Sequence, residues 1–347
     1  MQDCRPRREM AFCQWMKRIS CQSGSARART AARLGALLLA PALLTQCATN
    51  YSLVAKRPEE AVRNETFGYR KWMRPDAQPE TVVIGVHGFD GASIDYENLG
   101  KRLQKEQPEI AVYAYEVRGQ GKDPLKARRG DIDNPDLWFS DLARFTSMVR
   151  AKHPKARLVW FGESMGALIV SHAYENTVAA GQPPPCDAII LSSPVVKFRD
   201  DFPQWKKDLV RGVSEVAPTA RLSLETIAGG QEVQMTHDTL HSDQAETNSW
   251  HIDKHTLRLM VALSDLIDGM PQCATTFRVP TLVLHGGKDF FSKATDVEAF
   301  YGNIPKDANR SRRYYPDSYH LLMYDEQKEK VITDVENWLV KLPKAKN

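Results

Sequence analysis

Ser164 stands between two glycines in Gly162-Glu163-Ser164-Met165-Gly166. The five residues follow a short apolar run, Arg157-Leu-Val-Trp-Phe161, and open a helix-forming stretch from Met165 to Ala179. That context lifts a serine clear of a sheet on a sharp strand-to-helix turn. A hydroxyl so placed can act as a nucleophile in acyl transfer if a base takes its proton and a carboxylate orients the base. Asp289 closes Leu284-His-Gly-Gly-Lys-Asp289, directly after a predicted strand. His320 lies in Asp317-Ser-Tyr-His-Leu321, just before the last predicted helix. These three are the candidate catalytic residues. An oxyanion formed in such chemistry needs backbone N–H donors. Met165 offers one at the helix N-terminus, and Phe89, in His87-Gly-Phe-Asp-Gly91, offers a second. His87 and His285 sit at strand ends and read as structural, each satisfying nearby backbone.

These residues need a scaffold that alternates strands and helices. Thr81–His87, Ala111–Val117, Arg157–Phe161, Asp187–Leu191 and Pro280–His285 are short β-rich runs, the pattern of buried strands. Helices are predicted over 93–107, 135–152, 165–179 and 326–340. Alternation of this kind implies an α/β fold, with a mostly parallel sheet covered by helices on both faces. It breaks between Pro194 and Pro280. There Phe198, Phe202, Trp205, Leu209 and Val213 recur at spacings of four, three, four and four, one apolar face of a helix. The stretch 195–275 is therefore read as a helical cap inserted after the strand ending near Pro194. Segments 67–194 and 276–345 form the core. Phe198, Phe202 and Trp205 are the candidate substrate-binding residues of the cap.

The assembled pieces resemble the α/β-hydrolase superfamily of serine hydrolases. More closely they resemble its monoacylglycerol lipase and lysophospholipase branch, often labelled serine aminopeptidase-like. The resemblance is carried by Val86-His-Gly-Phe89, Tyr113-Ala-Tyr-Glu-Val-Arg-Gly-Gln-Gly121, Gly162–Gly166, Leu191-Ser-Ser-Pro194, Leu284–Asp289 and Tyr319-His320. It spans roughly residues 67–342. It implies cleavage of acyl esters of glycerol-type lipids through an acyl-enzyme, with no metal or organic cofactor and a lipid or ester small-molecule substrate. Asp90-Gly-Ala-Ser93 stands where the common lipase version continues HG-x-x-E-H. An aminopeptidase, with Glu163 or cap acids holding the substrate ammonium, is an alternative. So are a non-catalytic surface lipoprotein and a haloperoxidase-like or transferase use of the triad.

Charge is unevenly placed along the 347 residues. Residues 1–33 carry eight basic groups against Asp3 and Glu9, whereas the remainder holds 39 basic and 41 acidic groups. A body without basic excess gives nucleic-acid binding no electrostatic support. The basic segment meets an apolar run of eleven residues, Leu34–Leu44, too short for the ~20 that cross a bilayer as a helix. Basic flank plus short apolar run is an export-signal pattern. Leu44-Thr-Gln-Cys47 resembles a bacterial lipobox, which makes Cys47 a lipidation candidate, although Gln46 stands where that pattern has Gly, Ala or Ser. Segments 1–47 and 48–66 are thus read as export signal and polar tether. The implied product is a membrane-associated lipoprotein facing the periplasm or cell exterior, without an obligate protein partner. A plain signal, or a mis-set start before a cytoplasmic enzyme, is the alternative.

Of the remaining cysteines, Cys186 and Cys273 belong to the body and either pair or stay inert. His237, His241, His251 and His255 form two H-x-x-x-H pairs in the cap. At helical spacing each pair could share a face and bind metal. No glutamate follows the first histidine, so solvated or packed histidines are expected instead.

Overall fold

The computed structural model describes residues 51–54, 67–198, 203–227 and 229–343. The expected export segment, with Cys47, lies outside them, as does the expected tether apart from Tyr51–Val54. Those four residues form strand β1, which pairs antiparallel with β2 (Phe67–Trp72). Tyr-Ser-Leu-Val has the β propensity of an edge strand rather than of a linker.

In chain order there follow β3 (Thr81–Val86), α1 (Glu97–Glu106), β4 (Ile110–Tyr115), α2 (Asp136–Lys152), β5 (Arg157–Glu163), α3 (Met165–Ala179) and β6 (Ala188–Ser192). Next come α4 (Gln204–Val216), β7 (Arg221–Leu222), α5 (Leu224–Ile227), α6 (Gln244–Thr247), β8 (His255–Thr256) and α7 (Leu257–Thr276). The chain closes with β9 (Thr281–Gly286), α8 (Ala294–Asn303), β10 (Arg310–Tyr315) and α9 (Lys328–Val340). Among the described residues eight strands make one sheet, ordered β1-β2-β4-β3-β5-β6-β9-β10. It is antiparallel through β4 and parallel from there on.

The central strands read as unbroken apolar runs because both of their faces are covered. Val83, Val112, Phe161 and Ile190 pack beneath α1 and α9 through Leu99, Leu103, Val331 and Val335. Their strand neighbours Ile84, Tyr113, Trp160 and Leu191 point the other way, against Phe145, Ile169, Leu266 and Val297 of α2, α3, α7 and α8. This alternation is the period-two pleat of a strand. The candidate residues ride on loops at the carboxyl ends of β3, β5, β9 and β10.

Between β6 and β9, α7 packs on α3 and α8, and α4 lies on α7. The residues between α4 and α7 bond back to the core loops. Thr256 N–H donates to the Gly130 carbonyl at 2.8 Å, and Leu321 N–H to the Met235 carbonyl at 3.0 Å. No described helix is long and apolar enough to cross a membrane. Cys186 and Cys273 are both buried and both free, so they form no disulfide.

Candidate active site

β5 ends at Glu163, and Ser164 turns the chain into α3 with φ 54° and ψ −118°. Left-handed φ is costly for a side-chain-bearing residue and is held only where the surroundings over-determine it. Here Ser164 N–H donates to the Ser192 carbonyl at 2.9 Å, which fixes the elbow to β6. The flanking glycines are steric necessities. A Cβ at Gly162 would lie 2.4 Å from the Gly166 carbonyl oxygen, and one at Gly166 would lie 1.8 Å from that of Val86.

Asp289 and His320 meet on the loops that follow β9 and β10. His320 Nδ1 and Asp289 Oδ2 are 2.9 Å apart, and Phe291 N–H donates to Asp289 Oδ1 at 2.8 Å. Burial pushes the Asp289 carboxyl up, but the facing His320, His285 and the Phe291 N–H outweigh it and hold it below the usual carboxylate range. With Nδ1 engaged by Asp289, His320 has Nε2 left for the cavity, which both His320 and Ser164 line. The Phe291 ring packs edge-on against His320, with centroids 4.6 Å apart.

The cavity has a volume of about 770 Å³, within the usual range for small-molecule sites. Phe89 and Met165 line it beside Ser164. Its walls are largely apolar and include Leu168, Val195, Phe198, Met260, Leu263 and Ile267. Phe198 is thus placed on the cavity as expected, and the Lys207 ammonium lies 4.3 Å over its ring. Phe202 lies outside the described residues. Trp205 must be corrected: it is 62% exposed and does not line the cavity. Because α4 starts only at Gln204, Phe198 and Trp205 do not share one helix. The face of α4 turned to the cavity carries Lys206, Lys207, Val210 and Arg211 instead.

The other histidines separate by role. Val117 N–H donates to His87 Nε2 at 2.9 Å, so that nitrogen is bare and Nδ1 donates to the Gly88 carbonyl at 3.0 Å. Burial pushes His87 down, and it stays a neutral structural residue. His285 Nε2 donates to the Ser292 carbonyl at 3.2 Å, a comparable role. The H-x-x-x-H pairs do not sit on helices. His251 precedes β8 and His255 lies in it, while His237 and His241 lie in turns. His237 Nδ1 bonds Asp325 at 2.5 Å. The His255 ring packs on Phe89 at 4.1 Å between centroids, and burial pushes its pKa to about 3.

Several further groups hold the site loops in position. Gln120 Oε1 accepts the Asp90 N–H at 3.0 Å and so holds the loop that presents Phe89. Ser193 bonds the His320 carbonyl at 2.6 Å, and Asp325 accepts the Tyr319 N–H at 2.7 Å. Gln120 and Ser193 lie in Tyr113–Gly121 and Leu191–Pro194, stretches that carry the family resemblance, but their positioning roles show only in the fold. Glu163 and Asp95 also border the cavity. Burial, then the Asp95 charge, pushes Glu163 up to about 8, and burial, with the Glu116 and Asp90 charges outweighing the Ala92 N–H, pushes Asp95 up to about 7.

Comparison with known proteins agrees with this architecture. A family profile described as Hydrolase_4, serine aminopeptidase S33, matches residues 77–327. The monoacylglycerol lipase of Mycolicibacterium smegmatis is 26% identical over 279 residues, 78% of this chain and 92% of that protein. Among solved structures, the Paleococcus ferrophilus monoacylglycerol lipase superposes with a TM-score of 0.63 at 20% identity, covering 78% of this chain and 97% of that one. A soluble variant of the Saccharomyces cerevisiae monoglyceride lipase, in complex with a substrate analogue, gives 0.65 at 18% identity, covering 80% and 92%. A carboxyl esterase from Bacillus coagulans, in complex with glycerol, gives 0.66 at 15%, covering 84% and 97%. The chain belongs to the Hydrolase_4 (serine aminopeptidase, S33) family and is a lipase/esterase-type α/β-hydrolase.

Proposed function

We propose that this protein hydrolyses acyl esters of glycerol-type lipids, as a monoacylglycerol lipase or lysophospholipase does. The observation that carries the reading is Ser164, strained on its elbow, sharing an apolar cavity with a His320 held by buried Asp289. Ser164 Oγ attacks the ester carbonyl carbon while its proton passes to His320 Nε2. The tetrahedral intermediate places its oxyanion on the N–H groups of Phe89 and Met165. Its collapse expels the alcohol, which takes the proton from His320. Water then gives a proton to His320, attacks the acyl-serine carbon and releases the fatty acid, and the proton returns to Ser164. Asp289 keeps Nδ1 of His320 protonated and stabilises the imidazolium.

The peptidase alternative asks for a carboxylate anion near the serine to hold a substrate ammonium. Glu163, the acid that precedes Ser164 in the chain, has its pKa pushed up to about 8 by burial, which favours its neutral form at pH 7. That favours the ester reading. Labelling with a fluorophosphonate, mapping of the tagged peptide, and turnover of monoacylglycerol, lysophospholipid and aminoacyl-arylamide side by side test it. Tagging at Ser164 with glycerolipid turnover is expected, whereas aminoacyl-arylamide turnover alone would reject the ester assignment. We also propose export with lipid attachment at Cys47, supported by the basic flank, the short apolar run and the lipobox-like Leu44–Cys47. Cys47→Ser should then move the protein from membrane to soluble fractions.

A further inference from the structure

Where the loop carrying Phe89 meets the cap, three ligand-type side chains converge. Asp90 follows Phe89 with φ 56°. Its Oδ1 accepts the Ile252 N–H at 2.8 Å, which leaves Oδ2 facing two histidines. His241 Nε2 is 3.7 Å from Oδ2, and His251 Nδ1 is in direct contact with it. The three ligand atoms lie within 4.8 Å of one another. The side chains of Asp90, His241 and His251 are only 1%, 7% and 8% exposed. Even so, none of the three atoms makes a well-formed hydrogen bond. His251 and Asp90 touch, but off the line that an N–H bond requires.

The outer nitrogens explain what the inner ones lack. His241 Nδ1 lies 3.1 Å from Glu225 Oε1, and His251 Nε2 lies 3.5 Å from Asp253 Oδ1. Each imidazole thus has a carboxylate on the nitrogen turned away from Asp90. For His241 in its neutral form the 3.1 Å bond to Glu225 assigns the proton to Nδ1 and leaves the Nε2 lone pair aimed at a carboxylate oxygen, whereas the longer His251–Asp253 contact fixes no tautomer. A lone pair facing a buried carboxylate repels it unless positive charge lies between them. A carboxylate behind a ligating histidine is the recurring outer shell of metal sites. Two imidazoles and one carboxylate suit zinc and neighbouring first-row divalent ions.

We propose that Asp90, His241 and His251 bind one zinc-class divalent cation that ties the cap to the loop carrying Phe89. Asp90 belongs to the core loop, whereas both histidines belong to the segment between β6 and β9. The ion cross-links these two parts beside the reacting serine, and Asp90 and His241 expose it to the cavity. Ligand bonds of about 2.0–2.2 Å set neighbouring ligand atoms roughly 3.3 Å apart. Asp90 and His251 therefore separate slightly on loading, and His241 and Asp90 draw closer.

The test strips the full chain with a chelator and titrates it with zinc, cobalt, manganese and nickel. One equivalent of zinc is expected to bind with Kd below about 1 µM and to raise Tm. Asp90→Asn, His241→Gln and His251→Gln should each weaken binding at least about 100-fold, and Glu225→Gln about 10- to 100-fold. His153→Gln, at the Tyr113 hydroxyl on another part of the fold, should leave it unchanged. Should a ligand variant fail to fold, X-ray absorption of the cobalt-loaded wild type reads the ligands directly, with nitrogen and oxygen expected. Absence of saturable binding for all four ions would overturn the proposal, as would sulfur ligation or tight binding that survives Asp90→Asn with His251→Gln. In those cases the cluster is held by protonated histidine.

Discussion

The Ser193 hydroxyl donates to the main-chain carbonyl of His320 at 2.6 Å, and Ser193 N–H donates to the Leu284 carbonyl at 2.9 Å. One residue at the end of β6 therefore braces the histidine loop and the strand that leads to Asp289. Ser193 holds φ at 45°, a conformation kept only because both bonds demand it. It touches no substrate and acts as a positioning residue.

Ser193→Ala should lower kcat about tenfold with KM within about twofold, because a displaced base misaligns proton transfer without altering the cavity walls. Steady-state kinetics on a soluble ester check this. A KM rise with unchanged kcat would show that the bond shapes binding and not the base.

Ser164→Ala, Asp289→Asn and His320→Ala should each remove roughly 10⁴-fold or more of esterase activity while the fold persists. Pairing either of the last two with Ser164→Ala should add little, since the three act as one unit. The check is residual turnover together with circular dichroism. Activity retained in His320→Ala but lost in another histidine variant would place the base elsewhere.

The parts of this arrangement legible in the sequence were those encoded locally. Met165–Ala179 is read with its observed bounds because Gly166 and a continuous apolar stretch mark it. Asp289 and His320 lie next to a strand end and a helix start, so chain order alone suggested them. β10 escaped notice because Arg310-Ser-Arg-Arg-Tyr-Tyr315 pairs only with β9 and carries charge on an edge. Trp205, Leu209 and Val213 do share one face of α4, but that face turns to solvent, and no spacing says which way a helix faces. The Asp90, His241 and His251 cluster was hidden because folding draws one histidine from each H-x-x-x-H pair, and no spacing encodes that.

Glu163 predicts a stability profile. Its folded pKa is about 8 against an ordinary 4.5, since burial, then the Asp95 charge, disfavours the anion. Between those values the folded state keeps a proton that the unfolded chain has lost. Stability is therefore lost as pH rises from about 4.5 to 8 and levels off above. Glu163→Gln removes that slope. Relative to wild type its stability, and with it its Tm, should climb steadily from pH 5 to 8, the free-energy gain reaching several kcal/mol at most, an order-of-magnitude bound. Asp95, raised to about 7, keeps a smaller slope of the same sign in the variant. Thermal melts across this range decide the matter, and a pH-independent difference between the two proteins would contradict the buried neutral acid.

The cavity walls predict how activity varies with acyl length. Phe198, Leu263 and Ile267 line a space that opens at Ser164, whereas Trp205 on α4 faces solvent. If the acyl chain occupies this space, each added buried methylene contributes up to about 0.8 kcal/mol, roughly fourfold in kcat/KM. The specificity constant should then rise from acetate to medium-chain p-nitrophenyl esters and stop rising when the cavity is full. Phe198→Ala should flatten the rise and leave acetate cleavage within about twofold, because the lost wall contacts only the chain. Trp205→Ala should change neither, since its ring makes no part of the wall. A wild-type profile that peaks at acetate would reject acyl occupancy of the cavity. Flattening by Trp205→Ala would show that α4 turns its outer face inward when substrate binds.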